Sequence, residues 1–304
     1  MEPFEVHILG CGSALPTTRH NATSQIVRIG NKQFMIDCGE GTQLQMRHSH
    51  VHFSFVNHIF ISHLHGDHCF GLIGLISTFG LLGRKAPLYI YADPLLQRLM
   101  QPQLDFFCKG LPYQLKFIPI DATKEAIIYE DKSITVTTIP LSHRLPCCGF
   151  IFKEKPKKRH LIASMIDYYN IPIHLRAGLK EGNDYTTTDG TIIPNSRLTT
   201  DADPSRSYTY CSDTLPCQSI IESIKGTDLL YHEATFAQSE WQRAQETFHS
   251  TAKQAAQIAL DAKVRQLVIG HFSSRYKDDT LLLNEAKEIF PLTRLANEGE
   301  IFHI

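Results

Sequence analysis

The alternation of hydrophobic and polar residues predicts strands and helices that follow one another along most of the chain. Short apolar runs rich in β-branched and aromatic residues predict strands. These runs span residues 4–9, 24–29, 33–37, 59–61, 88–91, 115–120, 126–129, 133–140, 207–211, 228–231 and 266–270. Helices are predicted to begin near residue 42 and at residue 94, and to span residues 70–82, 251–262 and 278–290. This order is typical of layered α/β proteins.

Local signals mark several of the predicted boundaries. Gly30 and Asn31 lie between two strands and predict a hairpin turn. Asp93 followed by Pro94 predicts a helix start with a capping carboxylate and Pro at the first position. Ser250 is the predicted N-cap of the Ala-rich helix that follows it.

Several predicted strands end in side chains that can bind a metal ion. Within a few residues of an apolar run the chain places His63, His143, Asp213, His232 and His271. In α/β proteins, functional groups gather where neighbouring strands end at the same edge of a sheet. We therefore expect these side chains to converge at one edge.

The densest group follows the strand at 59–61 and reads His63-Leu64-His65-Gly66-Asp67-His68. On extended chain the side chains at i and i+2 point to the same side, and Gly66 lets the backbone turn back towards them. Three imidazoles and a carboxylate are ligands that first-row metals, zinc above all, take from proteins. A His-rich surface loop is the alternative, but chance clustering seldom places an Asp at this spacing after a strand.

Composition limits the classes of partner. The 304 residues contain 30 Lys and Arg against 31 Asp and Glu, so a nucleic-acid partner requires a local basic patch. Such a patch is present, with five cations within seven positions: Lys153, Lys155, Lys157, Lys158 and Arg159. Eight cysteines without a Cys-x-x-Cys pair, and no apolar run of membrane-spanning length, favour a reducing cytoplasm and no membrane partner.

The order of these motifs resembles a known family. His63-x-His65-x-Asp67-His68, followed by His143, Asp213 and His271, resembles the metallo-β-lactamase superfamily. Further stretches resemble the ribonuclease Z (tRNase Z) family within it. They are Gly12-Ser13-Ala14-Leu15-Pro16-Thr17, Asp37-x-Gly39-Glu40-Gly41-Thr42-Gln43, Ser142-His143-Arg144-x-Pro146, Ser212-Asp213-Thr214, His232-Glu233-Ala234-Thr235, His249-Ser250-Thr251-Ala252 and His271-Phe272-Ser273-Ser274-Arg275-Tyr276.

The resemblance implies a fold and a metal site. The fold would be an αββα sandwich formed by a single domain over residues 1–304, with an inserted basic arm at about 153–197. The site would hold two Zn²⁺ ions per subunit. By similarity, one ion takes His63, His65 and His143, the other takes Asp67, His68 and His271, and Asp213 bridges both. Asp37 and His232 would support the ligands from behind.

The resemblance also implies roles for residues around the metals. Asp67 would orient or deprotonate the attacking water, and His249 with Glu233 would donate a proton to the leaving oxygen. Arg275 would hold the scissile phosphate. The five arm cations would bind tRNA, although Ile171-Pro172-Ile173-His174-Leu175 stands where the family's arm has a Gly-Pro tip.

The implied function is a zinc-dependent endoribonuclease in which a metal-activated water attacks the phosphodiester. It would remove the 3′ trailer of precursor tRNA and leave a 3′-hydroxyl on the tRNA. A homodimer in the cytoplasm is the family expectation. Two alternatives stay open: a metallo-hydrolase of small phosphodiesters, which would have little use for a basic arm, and a non-catalytic RNA-binding relative, which would have no reason to keep every ligand.

Overall fold

The computed structural model describes residues 2–304, which divide into two compact units. The first comprises Met1–Glu130 (described from Glu2 onward), Thr135–Phe152 and Ser207–Ile304. The second comprises Asp131–Ile134 and Lys153–Arg206. The predicted metal ligands all belong to the first unit.

Twenty strands are described, and most agree with the apolar runs of the sequence. They are β1 (Phe4–Gly10), β2 (Gly12–Ser13), β3 (Ser24–Ile29), β4 (Lys32–Ile36), β5 (Val56–Phe60), β6 (Leu88–Ala92), β7 (Leu115–Pro119), β8 (Ala126–Glu130), β9 (Ile134–Leu141), β10 (Cys147–Glu154), β11 (His160–Leu161), β12 (Tyr185–Thr186), β13 (Ile192–Ile193), β14 (Thr199–Thr200), β15 (Ser207–Cys211), β16 (Leu229–Glu233), β17 (Gln266–Gly270), β18 (Phe272–Ser273), β19 (Thr293–Leu295) and β20 (Ile301–His303).

Eleven α-helices are described as well. They are α1 (Thr42–His48), α2 (Gly66–Cys69), α3 (Leu72–Leu81), α4 (Pro94–Phe107), α5 (Ala163–Tyr168), α6 (Arg176–Lys180), α7 (Asn195–Leu198), α8 (Ile221–Ile224), α9 (Trp241–Thr247), α10 (Ala252–Asp261) and α11 (Thr280–Lys287). Short 3₁₀ helices lie at Phe53–Phe55, Ile173–Leu175, Gln218–Ile220 and Gln238–Glu240.

Two seven-stranded mixed sheets form the frame of the first unit. One has the order β20-β1-β3-β4-β5-β6-β7, and the other has the order β19-β17-β16-β15-β10-β9-β8. In the first sheet β4, β5, β6 and β7 are parallel, and in the second β15, β16, β17 and β19 are parallel. Because parallel strands end at the same edge, each sheet brings several strand ends together.

The two sheets pack face to face through large aromatic side chains. Phe34 and Phe60 of the first sheet contact Phe152 of the second, with ring centroids 5.7 and 5.6 Å apart. Tyr208 and Tyr210 cross the same interface, where their hydroxyls donate to Gln25 and Asp37. Burial of these rings supplies much of the hydrophobic stabilisation between the sheets.

Helices cover the outer face of each sheet. Met46 of α1, Leu75 of α3 and Leu96 of α4 belong to one buried cluster with Met35 and Ile59 of the first sheet. On the second sheet α10 packs against β16 and β17, and α11 packs against β19. The layer order is therefore helix, sheet, sheet, helix, and the predicted αββα sandwich is confirmed.

The second unit has a small core of its own. Five buried residues from its short helices and strands pack together: Ile166, Ile171, Leu179, Ile193 and Leu198. Its strands form two-stranded sheets, β11 with β14 and β12 with β13. Inside the unit Arg206 donates to both carboxylate oxygens of Glu154, at 3.0 and 2.7 Å.

Three sequence expectations need correction. The central strand β10 was not predicted, because nearly every residue from Cys147 to Glu154 is buried and the strand therefore lacks a polar alternation. The N-cap of α10 is Thr251, not Ser250: Thr251 and Gln254 form a reciprocal capping box. The helix expected at 70–82 is α3, at Leu72–Leu81, but the separate short helix α2 that precedes it at Gly66–Cys69 was not predicted.

Within residues 2–304, none of the helices combines the length and apolarity that crossing a bilayer requires.

Candidate metal centre

The strand ends deliver the predicted ligands to one place. Asp37 follows β4, His63 lies three residues after β5, Asp213 lies two residues after β15, and His271 follows β17. Asp37, Asp213 and His271 have backbone φ angles of 55°, 37° and 60°. Residues other than Gly rarely adopt this left-handed conformation, and it concentrates at functional sites.

One group of ligand atoms contains His63, His65, His143 and Asp213, all within 4.8 Å of one another. Nε2 of His63 lies 2.9 Å from Nδ1 of His65, and Nε2 of His143 lies 3.2 Å from the same atom. Three imidazole nitrogens and a carboxylate oxygen at these separations form a suitable donor set for one first-row metal ion.

The second group contains Asp67, His68 and His271. Nε2 of His68 and Nε2 of His271 lie 3.5 and 3.6 Å from the same oxygen of Asp67, Oδ2. The backbone N–H of Ala14 donates to this oxygen at 2.8 Å. The group is smaller than the first, and a carboxylate shared with the first group would complete it.

Asp213 is that shared carboxylate, because its two oxygens face different groups. Oδ2 lies 3.5 Å from Nε2 of His63 and 3.7 Å from Nε2 of His143. Oδ1 lies 3.2 Å from Nε2 of His68 and 3.2 Å from Nε2 of His271. A carboxylate so placed can bridge two cations, one on each side.

The opposite ring nitrogens of four histidines are held by the protein. Nδ1 of His68 lies 2.7 Å from Oδ2 of Asp37, and Nδ1 of His143 lies 3.0 Å from the carbonyl oxygen of Phe248. Nδ1 of His271 lies 3.0 Å from Oγ1 of Thr235, and Nδ1 of His63 lies 3.1 Å from Oγ of Ser62. Such contacts fix the tautomer and leave Nε2 free for a metal.

The residues fit a metal ion by a criterion independent of any resemblance. Among the described residues, the buried Nε2 atoms of His68 and His271 make no hydrogen bond, although a carboxylate oxygen of Asp213 lies 3.2 Å from each. A buried polar nitrogen without a partner is costly, and coordination to a cation would relieve that cost. Burial lowers the pKa of His63, His65 and His143, which favours the neutral form that binds metals.

The charges of the site also fit a cation. Burial alone would raise the pKa of Asp213, but His271, His68 and His63 together hold it well below its usual range. Burial alone would lower the pKa of His68, but Asp213, Asp37 and Asp67 raise it well above its usual range. Three carboxylates around one imidazole make a negative site, which a bound cation would neutralise.

Asp37 anchors the site from the space between the sheets. It is fully buried, and it accepts hydrogen bonds from the backbone N–H and the hydroxyl of Ser62, both at 2.8 Å. The hydroxyl of Tyr210 donates to it at 2.7 Å, and His68 is its fourth partner. The structure thus places Asp37 directly behind a predicted ligand.

The predicted proton-donating pair lies next to the ligands. Oε1 of Glu233 lies 2.8 Å from Nδ1 of His249, and its Oε2 accepts from the backbone N–H and hydroxyl of Thr235. Burial alone would lower the pKa of His249, but the Glu233 carboxylate raises it to about 9. Without a bound cation, the imidazole is therefore protonated at neutral pH.

His232 forms no hydrogen bond with a predicted ligand among the described residues, so its supporting role stays a prediction. It precedes Glu233 on β16, and successive strand residues point to opposite faces, so His232 points away when Glu233 faces the site. Its Nδ1 lies 2.8 Å from the carbonyl oxygen of Glu233, and its Nε2 has no partner among the described residues. The hydrogen bonds of His232 therefore give no support to the sequence prediction for this residue.

The predicted cations for RNA are engaged with acids. Nη1 of Arg275 lies 2.5 Å from Oε1 of Glu240, and its guanidinium lies 5.0 Å from the centre of the Phe236 ring. Within the second unit, at least three of the five basic residues form ion pairs. They are Lys157 with Glu154, Lys158 with Glu181 and Arg159 with Asp201.

An open cavity of about 390 Å³ lies over the site and is lined by His65, Asp67, Asp213 and His249. Phe70 and Arg144 also line it, and the sequence had suggested no role for either. Ser62 and Thr235, which contact ligand histidines, were missed too. Ser62 directly precedes His63, and Thr235 ends the segment 232–235 that resembles the family. Their closeness in sequence to predicted site residues was the signal that could have identified them.

Comparison with known proteins places the sequence among named families. Residues 4–165 match the family model described as Anti-Pycsar protein Apyc1. A curated relative named Ribonuclease Z, from Phocaeicola vulgatus, is 61% identical over 298 residues, which cover 98% of this chain and 96% of the relative.

Two solved structures share the fold. Human tRNase Z, short form, aligns with a TM-score of 0.69 at 22% identity and covers 98% of each chain. The metallo-β-lactamase fold protein YhfI from Bacillus subtilis aligns with a TM-score of 0.71 at 19% identity and covers 100% of each chain. At these identities the likeness shows the fold, which is the metallo-β-lactamase fold.

Proposed function

This chain belongs to the ribonuclease Z family, and we propose from this membership that it is the endoribonuclease that removes the 3′ trailer of precursor tRNA. Its residues 4–165 also belong to the family described as Anti-Pycsar protein Apyc1. The product would be a tRNA with a 3′-hydroxyl. The observation that carries the proposal is the pair of ligand groups on the two oxygens of Asp213, with the His249–Glu233 pair beside them.

The cofactor in this proposal is a pair of Zn²⁺ ions in each chain. One would be held by His63, His65 and His143, the other by Asp67, His68 and His271, and Asp213 would bridge them. When bound, the ions would lower the pKa of a water and neutralise charge that develops on the phosphate. Asp37 would fix the ring of His68 behind this site.

The chain's own residues would orient the water and move the proton. Oδ2 of Asp67 faces the ligand histidines and accepts a hydrogen bond from the N–H of Ala14. The carboxylate is therefore held in one orientation over the cavity. His249, held in place by Glu233, would give its proton to the leaving 3′-oxygen. Glu233 would keep the imidazole charged and oriented.

Contacts to the substrate would come from cations on both units. Arg275 would bind the scissile phosphate after exchanging Glu240 for it. The basic residues at 153–159, within an arm at about 153–197, would contact phosphates of the tRNA body. Since at least three of these five cations already pair with acids, the net charge that they offer is small.

We also propose a homodimer in a reducing cytoplasm. All eight cysteines lie in the described residues, and each is a free thiol. Helix α4 exposes Leu95, Leu99 and Phe106 on one face, an apolar strip of the kind that a second subunit covers. Sedimentation of the purified protein, with and without Phe106→Asp, would test the dimer.

The activity is tested with a 3′-extended precursor tRNA and bis(p-nitrophenyl) phosphate in parallel. We expect site-specific cleavage of the precursor that leaves a 3′-hydroxyl, at a kcat/KM far above that for the small diester. Turnover of the small diester alone would support the alternative, a small-phosphodiester hydrolase. Binding of precursor tRNA without cleavage in metal-loaded protein would support a non-catalytic RNA-binding relative.

The acid role of His249 is tested by His249→Ala. We expect metal content to be retained and kcat on precursor tRNA to fall about 10²- to 10⁴-fold, the contribution of a positioned acid. A substrate whose 3′-oxygen is replaced by a leaving group that needs no proton should recover part of the rate. An equal loss on that substrate would mean that His249 positions the phosphate and does not act as the acid.

A further inference from the structure

Phe70 is an exposed aromatic residue at the mouth of the metal cavity. It follows the ligand His68 by two residues, and 71% of its surface is exposed. A Cβ atom added to Gly66 would lie 2.3 Å from Cε2 of Phe70, so the ring lies directly over that glycine. One face of the ring is therefore supported by the metal-binding segment, while most of the ring surface remains open.

Arg144 is the one permanently charged cation in the lining of the same cavity. Three carboxylates, those of Glu40, Asp67 and Asp213, also line it. No described residue forms an ion pair or a hydrogen bond with the Arg144 guanidinium, which is exposed and follows the ligand His143. A guanidinium without a partner in the lining of this cavity is available to an incoming anion with fixed acceptor geometry.

The cavity has room for a nucleotide beside the phosphate. Its volume is about 390 Å³, and it is open to solvent. A base that enters it beside the phosphodiester leaves its stacking partners, which is unfavourable. An aromatic face at the entrance restores that contact for any base, because every base has a π-face.

We propose that Phe70 and Arg144 form a nucleotide subsite at the mouth of the metal cavity. The Phe70 ring stacks on the base next to the scissile phosphodiester, and the Arg144 guanidinium pairs with a backbone phosphate of the same strand. The ligand class is a single-stranded ribonucleotide segment. This inference rests on the proposed function, because it assumes an RNA substrate that is cut at the metal site.

The stacking contact is tested with Phe70→Leu, Phe70→Trp and the control Phe55→Leu. Phe55 is half-exposed and does not line the cavity. We expect kcat/KM on precursor tRNA to fall about 5- to 150-fold for Phe70→Leu, with metal content and thermal unfolding unchanged. Phe70→Trp should keep the wild-type value, since indole also stacks, and Phe55→Leu should leave it unchanged.

Abasic substrates separate stacking from a general effect on the site. Two precursors each lack one base, on the 5′ or the 3′ side of the cut. On the precursor that lacks the stacked base, wild-type and Phe70→Leu should be equally slow, which also identifies the base. If the loss for Phe70→Leu persists in full on both abasic precursors, or if Phe70→Leu shows no loss at all, the stacking contact is refuted.

The phosphate contact is tested by salt dependence. Each contact to a single strand contributes about 0.7 to the slope of log affinity against log salt concentration. Arg144→Ala should reduce the slope of log KM by about that amount, whereas Arg144→Lys and the control Arg98→Ala on α4 should keep it. An unchanged slope for Arg144→Ala would refute the contact.

The outcomes separate an error in the proposed subsite from an error in the proposed function. If wild-type enzyme fails to cleave precursor tRNA, both the proposed function and the subsite are wrong. If wild-type enzyme cleaves and Phe70→Leu and Arg144→Ala behave as wild-type on every substrate, the function stands and the subsite alone is wrong.

Discussion

At the scale of single residues, the site depends on side chains that hold other side chains. The Asp37 carboxylate contacts no solvent and accepts four hydrogen bonds, two from Ser62 and one each from His68 and Tyr210. It occupies the left-handed backbone region at the end of β4, so the chain accepts a strained residue in order to point this carboxylate into the space between the sheets. Its position indicates support of the metal site, with no direct contact to substrate.

Asp37→Asn tests that support. An amide group would place N–H atoms against the donors of Ser62, Tyr210 and His68, which should lower the free energy of unfolding by about 1–3 kcal/mol. Affinity for Zn²⁺ should fall about 10- to 100-fold. Tyr210→Phe is the matched control: it removes one donor and should leave metal affinity within a few-fold. Equal metal affinity in Asp37→Asn and wild type, by competitive chelator titration, would contradict this role.

A second cluster, Cys11, His20 and Glu298, has metal-binding residue types but a different character. Burial alone would lower the pKa of His20, but Asp279 and Glu298 raise it to about 9. Burial raises the pKa of the Cys11 thiol well above its usual range. At neutral pH the cluster therefore contains a protonated imidazole and a neutral thiol, which is an ion-pair network that links distant parts of the chain.

This network predicts a pH dependence of stability. The pKa of His20 is about 9 in the folded protein against about 6.5 in unfolded chain, so the folded state binds more protons between these values. The stabilisation is complete below pH 6.5 and is lost as the pH rises through 9. The difference in unfolding free energy between wild type and His20→Gln should therefore shrink from pH 6.5 to pH 9.5 in urea titrations. A difference that grows over this range would contradict the assignment.

At the scale of elements, the sequence predicts well those segments in which one pattern dominates. The hairpin of β3 and β4 around Gly30 and the start of α4 at Asp93-Pro94 are confirmed, with Asp93 accepting from the N–H of Leu95 at 2.8 Å. Strand β10 was missed because both of its faces are buried. The short helices and strands of residues 153–206 were missed because two to six residues do not show a period.

The candidate site shows the same division. Side chains at strand ends, such as His63 and His271, could be named from sequence because they follow apolar runs. The contact between His143 and the carbonyl oxygen of Phe248 could not, because it depends on a backbone turn with φ of 60° at Phe248. His232 and Glu233 point to opposite faces because both belong to strand β16. The sequence prediction ended this strand at residue 231, before both of them, and so gave no orientation for either.

Helix α10 provides an element-scale prediction. Its N-cap Thr251 accepts from the N–H of Gln254 at 3.3 Å, and the Gln254 side chain accepts from the N–H of Thr251 at 2.9 Å. Thr251→Ala should lower the free energy of unfolding by about 0.5–2 kcal/mol. Thr251→Ser, which keeps the hydroxyl, is the matched control. If urea titration shows the same loss of unfolding free energy for both variants, the stabilisation comes from the Thr251 methyl group and not from the capping hydroxyl.

At the scale of the whole molecule, the chain combines an αββα metal-site unit with a smaller unit that carries a basic segment. Lys153 and Lys158 are exposed in that segment. Their joint substitution by Ala should raise KM for precursor tRNA and lower its salt slope by about 1–2, because each phosphate contact contributes just under one. Hydrolysis of bis(p-nitrophenyl) phosphate checks that the variant is folded. An unchanged salt slope would exclude these lysines from the tRNA interface.

The two groups of ligands predict a two-metal centre that performs the hydrolysis. The most direct measurement is the metal content of purified protein, by mass spectrometry, in the same samples whose kcat on precursor tRNA is determined. We predict two Zn²⁺ per chain in active wild type and a joint loss of metal and activity in Asp213→Ala, because both groups of ligands share that carboxylate. Full activity in wild-type protein that contains no transition metal would contradict the account.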